Sequence, residues 1–537
     1  MRVLRAGPGD AWATVSSACH ALVDRRAFLK LTGLAVAYHS IPHFARAAAP
    51  GFDSPAGARS LAAACLDALK QLGAGYGDIR IGHYRSQSLS ARDERLESIE
   101  DSESIGFGVR VLDRGAWGFA ASNILTAEEV ARVTAEAVAV ARASALAMKE
   151  PVVLAPEPVH AGAHYASPCA KDPFAVPVEE KIALLLAANA ALKKNPAIKV
   201  AQSSMFLWRR QQLFASSEGS MIESLLVRSQ ASETASAVGE SDSQDRSYSI
   251  QPRHAGYEHI LAGDLVGNAE RVAAQAAEKL GAAESPAGSF DLILDPEHLA
   301  LVIHESAGHA SELDRALGYE ANYAGTSFLT PDKLRTFRYG APIVNIVADN
   351  TRPASLASVG FDDDGVECQR WDIVREGTFA GYSDNREVAP KVGFARSHGS
   401  CRADSWASIP IVRIANVGLE PGEGSLADLI ADTKRGIYIE GQGSWSIDQR
   451  RWNLQFGGDA FWEIVDGKRT RMLKNVIYQS VTPEFWGACD AICGRDEWRD
   501  HGFLTCGKGQ PGQSGHMTHG TAPARFRQLK VIGARRA

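Results

Sequence analysis

The segment His304-Glu305-Ser306-Ala307-Gly308-His309 places the strictest demand on how this chain folds. It follows an apolar run launched by Asp295-Pro296-Glu297. That tripeptide is a strong helix start: a capping acceptor, a proline in the first turn, and a carboxylate at the positive end of the dipole. Two imidazoles and a carboxylate within six residues suit a metal centre. Imidazole is the commonest protein ligand for zinc, and a glutamate beside such a centre can take a proton from water. In the widespread H-E-x-x-H pattern the histidines stand four apart and nearly in line on a helix. Here the spacing is five, which swings them about 140° apart at 3.6 residues per turn. One ion reaches both only if the helix carries a π-bulge, and Gly308 is the residue expected to tolerate it. Two ligands also leave a catalytic zinc one short, so a third must come from elsewhere in the chain.

The rest of the sequence sets the context. A chain of 537 residues is long enough for two or three structural units. The net charge is -6, and no long basic run lies beyond the N-terminus, which argues against nucleic acid as the main partner. Past the N-terminus no apolar stretch is long enough to span a bilayer, so no stable membrane insertion is expected. The first fifty residues differ in kind. Asp24-Arg25-Arg26-Ala27-Phe28-Leu29-Lys30 carries a twin-arginine signature, an apolar segment from Leu31 to Ala37 follows, and Ala45-Arg46-Ala47-Ala48-Ala49 offers a small-residue cleavage site. Residues 1–49 therefore read as an export signal, and the chain is expected to work in the periplasm or outside the cell. Without that basic leader the net charge is about -10.

The patterning predicts an α+β fold with three further units. In residues 50–150, apolar residues from Leu61 to Leu72 recur at helical spacing. Strand-like runs cover 78–84, 105–111 and 116–121, and Thr126 with Glu129 forms a capping box for an Ala/Val-rich helix. In residues 151–288, a Pro-rich linker to residue 177 precedes a helix from Val178 to Lys194. Strand runs 199–209, 212–216, 221–230 and 232–239 and a closing helix near 264–280 follow. Residues 289–537 read as a β-rich domain, a large antiparallel sheet or barrel, carrying the helix with the two histidines. Eight cysteines include Cys19 in the leader. The remaining seven permit three disulfides and one special thiol in an oxidising compartment, and Cys489 with Cys493 could form a local bridge.

Five segments occur in a characteristic order: HESAGHASELD from His304, GTSFL at 325–329, DDDG at 362–365, RGIYI at 435–439 and TCGKG at 505–509. On these the chain resembles the TldD/PmbA family of metalloproteases, in particular its TldD-like, metal-binding branch. The resemblance covers roughly residues 78–535 and is strongest after Phe290. It implies that His304 and His309 are metal ligands, that Glu305 is the catalytic glutamate, and that Cys506 completes a His2Cys site. The implied cofactor is zinc, with another divalent metal such as iron or cobalt also suited to these donors. The implied substrates are short or unfolded peptides, bound extended along a strand edge within an enclosed dimer cavity. The partner would be a PmbA-like chain without the metal motif, or a second copy. The export signal departs from the cytoplasmic setting of TldD-like proteins.

Two other readings remain open at this point: a metal-containing, non-catalytic subunit that binds peptides, and a hydrolase of non-peptide amides. Glu312 and Asp314 are either carboxylates that orient an imidazole or surface charges at a helix end. His516 and His519 read as exposed loop histidines, with a place beside the metal site as the other choice. Asp362 to Asp364 invite a calcium reading, but the family resemblance implies a turn in a sheet, and no calcium-loop spacing follows.

Overall fold

The computed structural model describes residues 55–532. The twin-arginine segment and its cleavage site lie outside the described residues. The fold is α+β, with helix-and-sheet units first and a β-rich C-terminal part.

The first half comprises α1 (Pro55–Leu72), β1 (Tyr76–Arg92), β2 (Arg95–Asp113), β3 (Ala116–Ser122), α2 (Ala127–Ala145), β4 (Ala161–Ala166), α3 (Val178–Leu192), β5 (Ile198–Ser216), β6 (Met221–Val238), β7 (Ser243–Arg253) and α4 (Leu265–Leu280). Thr126 caps α2, its hydroxyl accepting from the Glu129 amide at 3.2 Å. The reciprocal half of the capping box gives way to pairing of the Glu129 carboxylate with Arg132. All seven strands join one sheet in the order β3-β2-β1-β5-β6-β4, with β7 beside β6. The stretch expected as a linker thus supplies β4, which runs parallel to β6. The four short strand runs expected between 199 and 239 are two long strands. β5 is paired to β1 on one edge and β6 on the other. Backbone hydrogen bonds carry it through the polar run Arg209 to Gln212, where side-chain pattern alone suggests a break.

The second half is organised by β8 (Gly288–Leu294), α5 (Pro296–Ile303), β9 (Ile346–Asp349), β10 (Arg370–Arg375), β11 (Val417–Leu419), β12 (Arg435–Glu440), β13 (Ala460–Val465), β14 (Arg499–Lys508), β15 (Gln513–Thr521) and β16 (Ala524–Val531). A ten-stranded sheet has β16-β8-β12-β13 at its centre, and a six-stranded sheet runs β10-β9-β11-β15-β14 with a two-residue strand beside β10. Leu292, Ile293 and Leu294 are fully buried, as befits a central strand covered on both faces. α5 packs against β12 of the larger sheet and β11, β14 and β15 of the smaller. Its Leu299, Leu301, Val302 and Ile303 share one core with Leu292, Ile414, Val417 and Met517. The helix bearing the two histidines is therefore set inside the domain.

The turn at Asp362 to Asp364 is a turn as expected, but a buried one. Arg110 of β2 reaches Asp364 at 2.7 Å and also holds Asp78 at 2.8 Å, tying the first sheet to the second half.

Candidate metal centre

α5 begins as the sequence predicts, with the Asp295 carboxylate accepting from the His298 amide at 2.8 Å and Pro296 in the first turn. At His304 the helix widens into a π-turn over His304–Gly308, closed by the His309 amide donating to the His304 carbonyl. That is the bulge required to bring two imidazoles five residues apart to one side. Local side chains hold it open. The Ser306 hydroxyl donates to the Val302 carbonyl at 2.5 Å and accepts from Trp486 Nε1 at 3.0 Å, while the Tyr339 hydroxyl donates to the Ser306 carbonyl at 3.0 Å. Gly308 serves for a different reason from the one expected. Its backbone is right-handed helical (φ -56°, ψ -66°), which any residue adopts. What excludes a side chain is packing, since a Cβ there would lie 2.9 Å from Ile414 Cγ2.

At this turn the two histidines meet a cysteine from a distant part of the chain. Donor atoms of His304, His309 and Cys506 lie within 4.8 Å of one another. The three residues are only 4%, 4% and 6% exposed. Cys506 comes from β14, with its Sγ 3.4 Å from His309 Nε2. A register shift in the β14–β15 pairing separates it from Phe503, whose ring stacks on His304 at 4.6 Å. Zinc bonds to imidazole and thiolate run about 2.0–2.3 Å, so the donors must draw closer together for one ion to reach all three. The donors fit a potential His/His/Cys metal site.

Each imidazole is fixed from behind. His309 Nδ1 donates to Glu312 Oε2 at 2.7 Å, which leaves the Nε2 lone pair directed to the cysteine side. The other oxygen of Glu312 meets Lys508 Nζ at 3.1 Å, and Lys508 in turn holds Asp314 at 2.6 Å. Glu312 is fully buried and Asp314 is 6% exposed, so neither is a surface charge at a helix end. His304 Nδ1 lies 2.8 Å from His519 Nε2, and His519 Nδ1 lies 3.0 Å from the Val417 carbonyl. One proton arrangement satisfies the whole relay. His519 donates to the carbonyl, accepts from His304, and leaves His304 Nε2 as a free lone pair.

His519 corrects the expectation of an exposed loop histidine. It lies on β15, paired to β14 on one edge and to β11 on the other, and is fully buried. His516, on the same strand, is half-buried. The spacing Gly515-Met517-His519 is the inward alternation of a strand, a signal hidden by the glycines and polar residues around it.

Burial sets the protonation of the cluster. It pushes His304 and His309 well below the usual imidazole range and His519 down to about 3, so all three are neutral at pH 7. Burial likewise pushes the Cys506 thiol up to about 11, opposed by nearby Arg413. A bound divalent cation reverses that logic and deprotonates a coordinating thiol. Glu305, 7% exposed, is raised by burial and pulled back by Arg451, whose Nη1 donates to Glu305 Oε2 at 2.6 Å. Arg451 sits at φ 65° in a turn where Asp448 accepts from the amides of Arg450, Trp452 and Asn453. Nothing in the sequence pattern points to it.

All seven cysteines among the described residues are free. The expected Cys489–Cys493 bridge does not form. A bulge between Cys489 and Ala491 sends the two thiols into different core clusters.

Known proteins match most of this chain. Three family descriptions match in order: PmbA/TldA metallopeptidase domain 1 over residues 77–141, the central domain over 171–283, and the C-terminal domain over 287–533. A metalloprotease of Methanocaldococcus jannaschii is 30% identical over 402 residues, spanning 74% of this chain and 85% of its own. A zinc metalloprotease TldD homolog of Saccharolobus solfataricus is 27% identical over 249 residues, 46% of this chain and 52% of its own. The crystal structure of TldE from Thermococcus kodakarensis has the same fold, with a TM-score of 0.67 at 17% identity over 87% of this chain and all of that one. The chain belongs to the PmbA/TldA metallopeptidase family.

Proposed function

We propose that this chain is a metal-dependent peptidase acting on short or unfolded peptides, with His304, His309 and Cys506 holding a divalent ion and Glu305 as general base. The observation that carries the reading is the buried convergence of those three donors at a π-turn that also contains an ion-paired glutamate. Zinc suits two imidazoles and a thiolate, and the Saccharolobus relative is named a zinc metalloprotease. Iron or cobalt is the alternative. Such an ion supplies Lewis acidity toward a carbonyl oxygen and makes water a stronger acid. Glu305 accepts the proton from the attacking water and returns it to the leaving amine, so water adds across the amide and the carboxylate ends as it began. Arg451 favours the ionised form of that carboxylate and fixes its position. Glu312 and His519 hold the two imidazoles in the tautomers that leave Nε2 free.

Peptides would lie extended along a strand edge, and the working unit would be a homodimer or a heterodimer with a PmbA-like chain. The twin-arginine segment suggests that this unit works in the periplasm or outside the cell. Fusing residues 1–60 to a reporter that is active only after export tests the location. A reporter that stays in the cytoplasm sinks it.

The deciding experiment measures metal content and cleavage of an unfolded peptide for the wild type, Glu305→Ala and Cys506→Ser. Glu305→Ala should keep metal and lose turnover, and Cys506→Ser should lose metal. Wild-type cleavage by Glu305→Ala removes the mechanism, and full metal in Cys506→Ser removes the third ligand. A metal-loaded wild type that binds peptide but never cleaves it, alone or with a PmbA-like partner, supports instead the non-catalytic subunit.

A further inference from the structure

Next to the metal centre lies a small cavity of about 40 Å³ whose walls are unusually basic. It is lined by Arg210, Arg228, Arg402 and Arg413, together with Trp208 and His516. The four arginines are 6%, 2%, 7% and 1% exposed. None of them makes an ion pair among the described residues, whereas buried Arg80, Arg110 and Arg315 do. Nitrogen atoms on all four lack any hydrogen-bond partner: Nε of Arg210, Nε and Nη1 of Arg228, Nη1 of Arg402 and Nε of Arg413, with His516 Nδ1 beside them. A buried guanidinium without an anion is costly, and four around one cavity need a counter-charge.

The strands build this concentration of charge. Arg210 and Trp208 stand on one face of β5, and Arg228 is the cross-strand neighbour of Trp208 on β6. The Arg228 guanidinium lies over the Trp208 ring at 4.3 Å, which orients it and satisfies one face without offering it an acceptor. From the other half of the molecule, Arg402 donates to the carbonyls of Ile414 and His516. Arg413 lies flat against Gly515, where a Cβ would fall 2.5 Å from its Cζ. Mutual repulsion adds to burial in pushing Arg228 down to about 9 and Arg402 to about 10. Asp404, the one acid in the lining, is exposed and occupied by the Ser408 hydroxyl and the Ser514 amide.

Arg413 links the cavity to the metal centre. Its Nη2 donates to the carbonyl of Cys506 at 2.5 Å, and Cys506 pairs with Gly515 in the β14–β15 ladder. A ligand group seated among the arginines is thus one side chain away from the cysteine that supplies the third donor.

We propose that this cavity is a carboxylate-binding pocket that anchors a peptide by its C-terminal α-carboxylate, or by an acidic side chain, beside the metal centre. The volume holds a carboxylate with little to spare, and planar guanidinium groups match its two oxygens. The proposal rests on the peptidase reading for what carries the carboxylate, and on the cavity alone for the preference. It makes the chain selective for peptides with an acidic group at a fixed distance from the bond to be cut.

The test uses full-length Glu305→Gln protein, so that bound peptide persists, and a set of dye-labelled peptides of one sequence. These are the free acid, the C-terminal amide, and the amide carrying one internal glutamate. The free acid should bind about tenfold or more tightly than the amide, as expected for charge-assisted hydrogen bonds. Rescue by the internal glutamate identifies the side chain as the source, and no rescue identifies the terminus. Arg228→Met should abolish the difference and leave the unfolding temperature unchanged or higher, because it removes an unpaired buried charge. Equal binding of acid and amide overturns the proposal without needing any variant. It is also overturned if Arg228→Met alters the oligomeric mass, since a partner's carboxylate then fills the pocket. Acid preference without wild-type cleavage would remove the peptidase reading and leave the pocket standing. Cleavage without acid preference would do the reverse.

Discussion

Arg451 and Glu305, 146 positions apart in the chain, form an ion pair at 2.6 Å with both side chains almost wholly buried. Burial works against the charge on each, and each favours the charged form of the other. In the proposed reaction the carboxylate must be ionised to accept a proton. Removing the arginine leaves a buried acid without its counter-charge, which favours the neutral form.

Arg451→Met should therefore retain bound metal and lose cleavage by about a hundredfold, the low end of what a general base contributes. Arg451→Lys should recover part of the rate. Turnover measured at equal metal content checks this. An unchanged rate in the methionine variant would mean the pair is structural only.

Glu312 carries a separate expectation. It fixes the His309 ring and is itself fixed by Lys508, which also neutralises Asp314. Loss of a carboxylate behind a metal-bound imidazole typically costs about 10- to 100-fold in affinity. Glu312→Gln should release metal to a competing chelator at a concentration lower by that factor, with secondary structure intact by circular dichroism. Identical chelator curves for variant and wild type would exclude the role.

The legible and illegible parts of this molecule divide along the range of the contacts involved. The π-turn follows from local geometry, because two ligands five apart demand it, and the Asp295 cap follows from residue types at adjacent positions. Cys506 has no such local signature, and only resemblance connects it to the histidines. His519 and Arg451 reach the site through sheet pairing and a turn far along the chain, contacts that no periodicity encodes. Glu312 lies three residues after His309, near enough to be weighed, but burial decides its role and a polar sequence does not reveal burial. The β5 and β6 strands were obscured for the opposite reason. Their polar residues serve the arginine cavity and the Asp363 contact, as with Gln212 Nε2 donating to Asp363 at 2.8 Å. Tertiary contacts there override the alternation by which a strand is recognised.

Gly308 offers a test of packing against backbone freedom. Its dihedral angles suit alanine, yet a Cβ would press on Ile414 Cγ2 at 2.9 Å and Cδ1 at 3.3 Å. Overpacking of this kind costs about 1–3 kcal/mol. Gly308→Ala should lower the unfolding midpoint, and the double variant with Ile414→Ala should lose less stability than the two single losses added together, a favourable coupling in a double-mutant cycle. Strict additivity would show that the clash is not the cause.

Glu233 of β6 predicts a pH dependence unconnected with the metal centre. It is 1% exposed, neither carboxylate oxygen has a hydrogen-bond partner, and burial raises it to about 8, against a weaker opposing pull from Arg271 and a small push from Asp264. The folded state therefore holds a proton between about pH 4.5 and 8 that the unfolded chain releases. Stability slopes downward with pH wherever the folded state binds more protons. The contribution is fully present below the unfolded value, shrinks through the window, and ends as a buried, unpaired carboxylate above pH 8. Glu233→Gln keeps the shape and removes the titration. Thermal unfolding midpoints measured from pH 5 to 8.5 should fall less steeply for the variant than for the wild type, with the two curves furthest apart at the alkaline end. Parallel curves would mean that the carboxyl is solvated in solution and carries no such linkage.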